Sequence, residues 1–179
     1  MIQIETKIPG VLILEPRVFK DERGFFLESF NNQFPVPGPF IQDNHSRSIH
    51  KVLRGLHFQL PYQGKLVRVA TGTVLDVAVD IRKNSPTFGH HVAVELSDQN
   101  HRQLWVPEGF AHGFVVLSES ADFLYKVNKP YNPKHQYTIQ YNDPELSIDW
   151  KIEDPILSPK DMVGMSMKDL ISFSDSDFE

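Results

Sequence analysis

Residues Thr73 to Ile81 alternate strictly: Leu75, Val77, Val79 and Ile81 fall on one side of an extended chain, Asp76, Ala78 and Asp80 on the other. A period of two marks a β-strand, because successive side chains of an extended backbone point to opposite faces. Similar short runs recur at intervals of roughly ten residues, separated by turns that use the chain's 13 Pro and 10 Gly. Such frequent punctuation leaves no room for long helices, and the spacing predicts a sandwich or a barrel. The expected strands are Val11–Leu14, Phe25–Phe30, Val52–Gln59, Leu66–Ala70, Thr73–Ile81, His91–Leu96, Gln103–Val106, Gly113–Leu117, Phe123–Asn128 and Tyr137–Asn142. Helix signals are confined to the C-terminal end. There Asp143-Pro-Glu and Ser158-Pro-Lys-Asp place proline at a first helical position, each opening one or two turns. No internal repeat or low-complexity linker divides the chain. Residues 1–179 therefore read as one all-β domain with short C-terminal helices, and the acidic stretch from Ser172 to Glu179 is expected to fray.

The remaining composition narrows function by exclusion. Cysteine is absent, so neither a disulfide framework nor a thiolate metal site can form. A net charge of -5 argues against a nucleic-acid partner. It leaves room for a small anion held by a few local Arg and Lys side chains. Near the N-terminus the longest apolar run, Val11 to Leu14, is too short for a signal peptide or membrane span, and a cytoplasmic protein is expected.

Two stretches carry chemistry: Leu53-Arg-Gly-Leu-His57-Phe-Gln59 and Trp105-Val-Pro-Glu-Gly-Phe-Ala-His112-Gly-Phe. The Pro-x-Gly-x-x-His pattern in the second resembles the second motif of cupins, which are jelly-roll β-barrels. A metal-binding cupin also needs His-x-His in its first motif, and here that position reads His57-Phe58-Gln59. With one ligating nitrogen missing, no metal is expected. His57 then becomes a candidate general base, since imidazole titrates near neutrality. Tyr125 is a candidate acid, Lys65 a candidate cation beside a developing enolate, and Asp161 a candidate partner that orients an imidazole. Arg23 and Arg54 each precede a glycine, which lets a ligand approach closely, and arginine suits phosphate oxygens. Taken alone, His57, Tyr125 and Lys65 read more readily as structural residues, a hydrogen-bonded core histidine, a core tyrosine and a strand-edge lysine; Asp161 also reads as a helix-start acid, and Arg23 and Arg54 read equally as surface ion pairs.

Taken together, these segments resemble the dTDP-4-dehydrorhamnose 3,5-epimerase family. They are Asp21-Glu-Arg-Gly-Phe-Phe, Gln42-Asp-Asn-His-Ser, Val52-Leu-Arg-Gly-Leu-His-Phe-Gln, Gly64-Lys-Leu-Val-Arg, Asp76-Val-Ala-Val-Asp-Ile-Arg, Ser85-Pro-Thr-Phe-Gly, Pro107-Glu-Gly-Phe-Ala-His-Gly-Phe and Leu124-Tyr-Lys, in that order, and the likeness runs from about residue 4 to about residue 163. The resemblance implies a homodimeric cupin jelly roll that needs no metal or organic cofactor. It implies conversion of dTDP-4-dehydro-6-deoxy-D-glucose to dTDP-4-dehydro-L-rhamnose. His57 would be the base, Asp161 its partner, Tyr125 the acid, and Lys65 the group near the keto oxygen. Arg23, Glu28, Gln42, Asn44, Arg54, His112, Tyr131 and Lys160 would surround the nucleotide and sugar, with part of the Arg23 segment coming from the partner subunit. Enzymes of the same barrel that invert only C3 or only C5, or that isomerise the ketone, remain alternatives. So do a metal-dependent cupin oxygenase and a non-catalytic binding module.

One geometric difficulty attends this assignment. Arg54 and His57 have opposite parity, so one regular strand cannot aim both inward. A bulge at Gly55 is expected, or a ligand contact by Arg54 across the strand edge.

Overall fold

A computed structural model describes residues 1–173. Its strands are β1 (Ile2–Glu5), β2 (Leu12–Glu15), β3 (Val18–Asp21), β4 (Gly24–Leu27), β5 (Gln42–Ile49), β6 (Leu53–Gln59), β7 (Lys65–Thr71), β8 (Thr73–Asp80), β9 (His91–Ser97), β10 (Gln103–Val106), β11 (Phe110–Val116), β12 (Ser120–Val127) and β13 (Gln136–Thr138). They form a six-stranded antiparallel sheet in the order β1-β2-β10-β7-β12-β5 and a five-stranded one in the order β13-β6-β11-β8-β9. The two sheets face each other as a jelly-roll barrel, and β3 and β4 form a separate hairpin.

All ten expected strands are present, with ends shifted by a few residues. Three more were not anticipated: β1, β3 and β5. β5 reads Gln-Asp-Asn-His-Ser-Arg-Ser-Ile and lacks apolar alternation, because it is a sheet edge with water on one face. The C-terminal helix signals need correction. Asp143-Pro-Glu opens no helix: the Asp143 carboxylate accepts the amides of Glu145 and Met167, which ties the chain into a turn. Ser158-Pro-Lys-Asp leads only into a 3₁₀ turn, Asp161–Val163. The α-helix, α1, spans Met167–Ser172 and starts at a reciprocal capping box between Ser166 and Asp169. The expected fraying of the last residues concerns, beyond Phe173, a segment outside the described residues.

Hydrophobic burial forms three layers. Val67, Val69, Val74, Ala78, Phe110, Phe114 and Phe123 pack between the sheets. Leu75, Val77, Val79 and Ile81, the apolar face of the 73–81 alternation, face away from the barrel and are covered by Leu146, Trp150, Met167 and Leu170 of the C-terminal segment. Trp105, Leu14 and Leu66 are covered by Phe30, Phe34 and Phe40 on the other outer face. A side chain such as Phe123, 1% exposed, contributes about 2–3 kcal/mol by leaving water. The core fills one end of the barrel. The other end stays open, and the candidate site lies there.

Candidate active site

A cavity of about 500 Å³ opens between the two sheets, within the usual range for a small-molecule site. His57, Tyr125, Asp161, Lys65, Gln42, Asn44, Arg54, His112, Tyr131 and Lys160 all line it. These residues come from five strands, the loop holding Tyr131 and the C-terminal segment holding Lys160 and Asp161; spread over more than a hundred positions, they converge on one space.

The five-stranded sheet supplies His57 and Arg54, and β6 delivers both through the expected irregularity. On β11, His112 and Phe114 are two apart; their partners on β6, His57 and Arg54, are three apart. The extra residue resets the phase of the strand. Leu53, Leu56 and Phe58 pack into the outer core while Arg54 and His57 both reach the cavity. Gly55 makes this possible: its φ is +128, and a Cβ there would sit 2.5 Å from Gly113 Cα and 2.8 Å from the His112 carbonyl oxygen. Only glycine fits.

Asp161 arrives from the C-terminal segment, which is laid against the barrel by parallel bridges between Val52 and Ile156 and between Ile139 and Met165. His57 Nε2 lies 2.5 Å from Asp161 Oδ1, and Ser158 Oγ donates to Asp161 Oδ2 at 2.6 Å. Burial pulls the His57 imidazole below its usual value, and Lys65 and Lys160 add to this; the Asp161 carboxylate opposes them. Burial acts to raise Asp161, but hydrogen bonds from His57 and Ser158, with help from the Gly55 amide, hold it below the usual carboxylate range. At neutral pH the pair is therefore a neutral imidazole against a carboxylate. Asp161 engages Nε2 and leaves Nδ1 free to accept a proton.

The six-stranded sheet supplies Tyr125 and Lys65. Tyr125 pairs with Val67 and Lys65 with Val127, so the two side chains are diagonal neighbours on the inner face, on the sheet opposite His57. Burial raises the Tyr125 phenol above its usual value, with Arg54 acting in the other direction. Burial lowers the Lys65 ammonium to about 8, against the pull of Asp76.

The polar rim is built for a ligand with several acceptors. Arg54 Nε donates to Ser48 Oγ at 3.0 Å, Gln42 Nε2 donates to Asn44 Oδ1 at 2.8 Å, and Tyr131 OH donates to Gln136 Oε1 at 2.8 Å. Lys160 Nζ also donates to Gln136 Oε1. His112 stands deeper, its Nε2 at 3.0 Å from Asp76.

Two expected residues are not in the cavity of this chain. Arg23 and Glu28 are absent from its lining; Arg23 lies at the tip of the β3–β4 hairpin, bonded to Asp21 at 2.6 Å and exposed. Other lining residues escaped the sequence reading. Phe114 and Phe123, stacked 4.0 Å apart at the cavity floor, and Ser46 were legible as period-two neighbours of His112, Tyr125 and Asn44. Gln136 and Ser158 carry no local signal; only the pairing of β13 with β6 and the path of the C-terminal segment bring them in. Among the described residues no group of three or more His, Asp or Glu side chains is arranged to hold a metal, and no helix is long and apolar enough to cross a membrane.

A family model described as dTDP-4-dehydrorhamnose 3,5-epimerase matches residues 5–169. The dTDP-4-dehydrorhamnose 3,5-epimerase of Shigella flexneri is 56% identical over 173 residues, covering 93% of this chain and 96% of that protein. The protein of the same name from Salmonella typhimurium is 59% identical over 169 residues, covering 90% and 92%. Among solved structures, a dTDP-6-deoxy-D-glucose-3,5-epimerase from Legionella pneumophila, in complex with dTDP-4-keto-L-rhamnose, superposes with a TM-score of 0.90 at 50% identity, covering 93% and 92% of the two chains.

Proposed function

The chain belongs to the dTDP-4-dehydrorhamnose 3,5-epimerase family, and from that premise we propose how its cavity inverts C3 and C5 of dTDP-4-dehydro-6-deoxy-D-glucose to give dTDP-4-dehydro-L-rhamnose. The observation that carries the reading is the placement of His57 and Tyr125 on opposite sheets across one cavity, with Lys65 beside Tyr125.

The C4 ketone acidifies the hydrogens on its two neighbours. His57, neutral because burial lowers its affinity for protons, removes one of them from one ring face. Asp161 keeps the ring in the tautomer that accepts, and stabilises the imidazolium that forms. Negative charge moves onto the ketone oxygen, where the Lys65 ammonium meets it inside the cavity. Tyr125, still a phenol because burial raises it, delivers a proton from the other face and so inverts the centre. One group could not do both tasks from one side, which is why base and acid stand on different sheets. Arg54 and Lys160 suit the diphosphate, Tyr131 offers an aromatic face to the base, and Gln42, Asn44 and His112 suit sugar hydroxyls.

The same reading includes a homodimer. Arg23 and Glu28 are missing from the cavity of their own chain, and the hairpin that carries Arg23 exposes Phe19, Phe25 and Phe26. Exposed aromatics on a projecting arm fit insertion against a second copy. Mixing two dead variants, His57→Ala and Arg23→Ala, then recovers activity, because one of the two sites in the mixed dimer is intact. No recovery after subunit exchange would contradict a shared site. The reaction itself is tested by NMR of the product: inversion at both C3 and C5 is expected, and inversion at a single carbon would replace this reading with a monoepimerase.

A further inference from the structure

Gln59 holds the position where a metal-binding cupin has its second motif histidine, and the proposed proton transfers give it no part. It ends β6 and lies against the cavity, only 5% exposed. Its side-chain amide reaches the loop that follows β12. Nε2 donates to the carbonyl oxygens of Pro130, at 3.0 Å, and of Pro61, at 3.3 Å. Oε1 accepts the Asn132 amide at 3.2 Å. Two carbonyls on one side and an N–H on the other fix the orientation of the amide, and they leave neither of its N–H groups for a ligand. Breaking such bonds at a buried site strands polar groups, so the loop is tied to β6 rather than resting on it. The seam continues on both sides: Asn132 Nδ2 donates to the Leu60 carbonyl at 2.8 Å, and Gln63 Nε2 to the Lys129 carbonyl at 2.6 Å.

The two loop residues that Gln59 grips, Pro130 and Asn132, flank Tyr131. The Tyr131 phenol is tethered separately, donating to Gln136 Oε1 at 2.8 Å. Gln136 is opposite Gln59 in the pairing of β13 with β6, so one register sets both holds, on the backbone beside Tyr131 and on the end of its ring. The residue itself stays 52% exposed at the cavity. An aromatic side chain pinned at both ends yet left uncovered is a preformed stacking surface. We infer that Gln59 is a positioning residue for nucleotide binding: without touching the ligand, it holds residues 130–132 so that Tyr131 stands ready to stack on the thymine ring. This inference rests on the reading of Tyr131 as the aromatic face for the base. Ordering the loop during binding would cost affinity, and holding it beforehand removes that cost.

The test is a double-mutant cycle on dTDP affinity, measured by calorimetry, with melting as the control of the fold. Gln59→Leu and Tyr131→Ala are each expected to weaken dTDP binding about tenfold. The double variant is expected to bind little worse than either alone, because Gln59 acts only through Tyr131. In Gln59→Leu the loss should fall on KM, up about tenfold, with kcat down by no more than about threefold. A double variant weakened about a hundredfold shows two independent effects and overturns the inference, as does wild-type affinity in Gln59→Leu. Unchanged affinity in Tyr131→Ala overturns instead the stacking reading beneath it. Should Gln59→Leu fail to fold, hydrogen exchange of the wild-type enzyme still decides. The Asn132 amide, bonded to Gln59, must be protected before dTDP is added; rapid exchange that slows only with dTDP means that the ligand orders the loop, and sinks the inference.

Discussion

Replacing Lys65 with methionine should make this protein more stable and inactive at once. Lysine normally titrates near 10.5, and Lys65 does so at about 8 because burial penalises its charge. At about 1.4 kcal/mol per pH unit, that gap corresponds to roughly 3 kcal/mol against the folded state at pH 7. Lys65 keeps partial contact with solvent, which screens the effect and puts the expected gain at about 1–3 kcal/mol. The pH dependence follows from the direction of the shift. The unfolded chain holds the Lys65 proton more tightly than the folded one, so the penalty is complete below pH 8 and fades as pH rises from 8 towards 10.5. Urea denaturation of both proteins at pH 7 and at pH 10 measures it. The methionine variant should be the more stable at pH 7, and its advantage should shrink at pH 10, while kcat falls by about 10²-fold or more at neutral pH. A stability gap that does not change with pH would refute the claim that the cost lies in the charge.

Two further substitutions probe the base. Gly55→Ala forces a side chain into φ +128 and against the Gly113 backbone; the expected cost is about 3 kcal/mol in melting experiments, with kcat down about 100-fold as His57 is displaced. Asp161→Asn should lower kcat by about 10³–10⁴-fold with little change in KM. Because Asp161 raises His57, the acid limb of the kcat profile, already below 6.5 in the wild type through burial, should move lower still in that variant; an unmoved limb would show that His57 does not set it.

Much of the barrel was legible because its strands alternate and its turns are rich in Pro and Gly. The direction in which each face points was less so. In β8 the apolar side of the alternation faces outward and the side carrying Asp76 and Asp80 faces into the barrel. That inversion is sustained by specific partners: His112 for Asp76, and Arg82, Ser85 and Thr87 for Asp80. A hydrophobicity pattern cannot report such partners, which come from a neighbouring strand and a following turn. α1 was missed although Ser166-Met-Lys-Asp169 is a readable capping signal, since a helix of six residues has little periodicity to detect. At the site, parity reasoning located the bulge at Gly55 without coordinates. It could not distinguish His57 or Tyr125 from core residues, because that distinction depends on which end of the barrel stays open.

The central claim is that His57 removes a proton from one ring face and Tyr125 returns one to the other. Incubating enzyme and substrate in deuterated water, and following C3 and C5 by NMR, tests it most directly. The wild type should introduce deuterium at both carbons with inversion. His57→Ala should introduce none, and Tyr125→Phe should exchange hydrogen without inverting, since the base survives and the opposite proton donor is gone. Deuterium entering at the wild-type rate in His57→Ala would contradict the account.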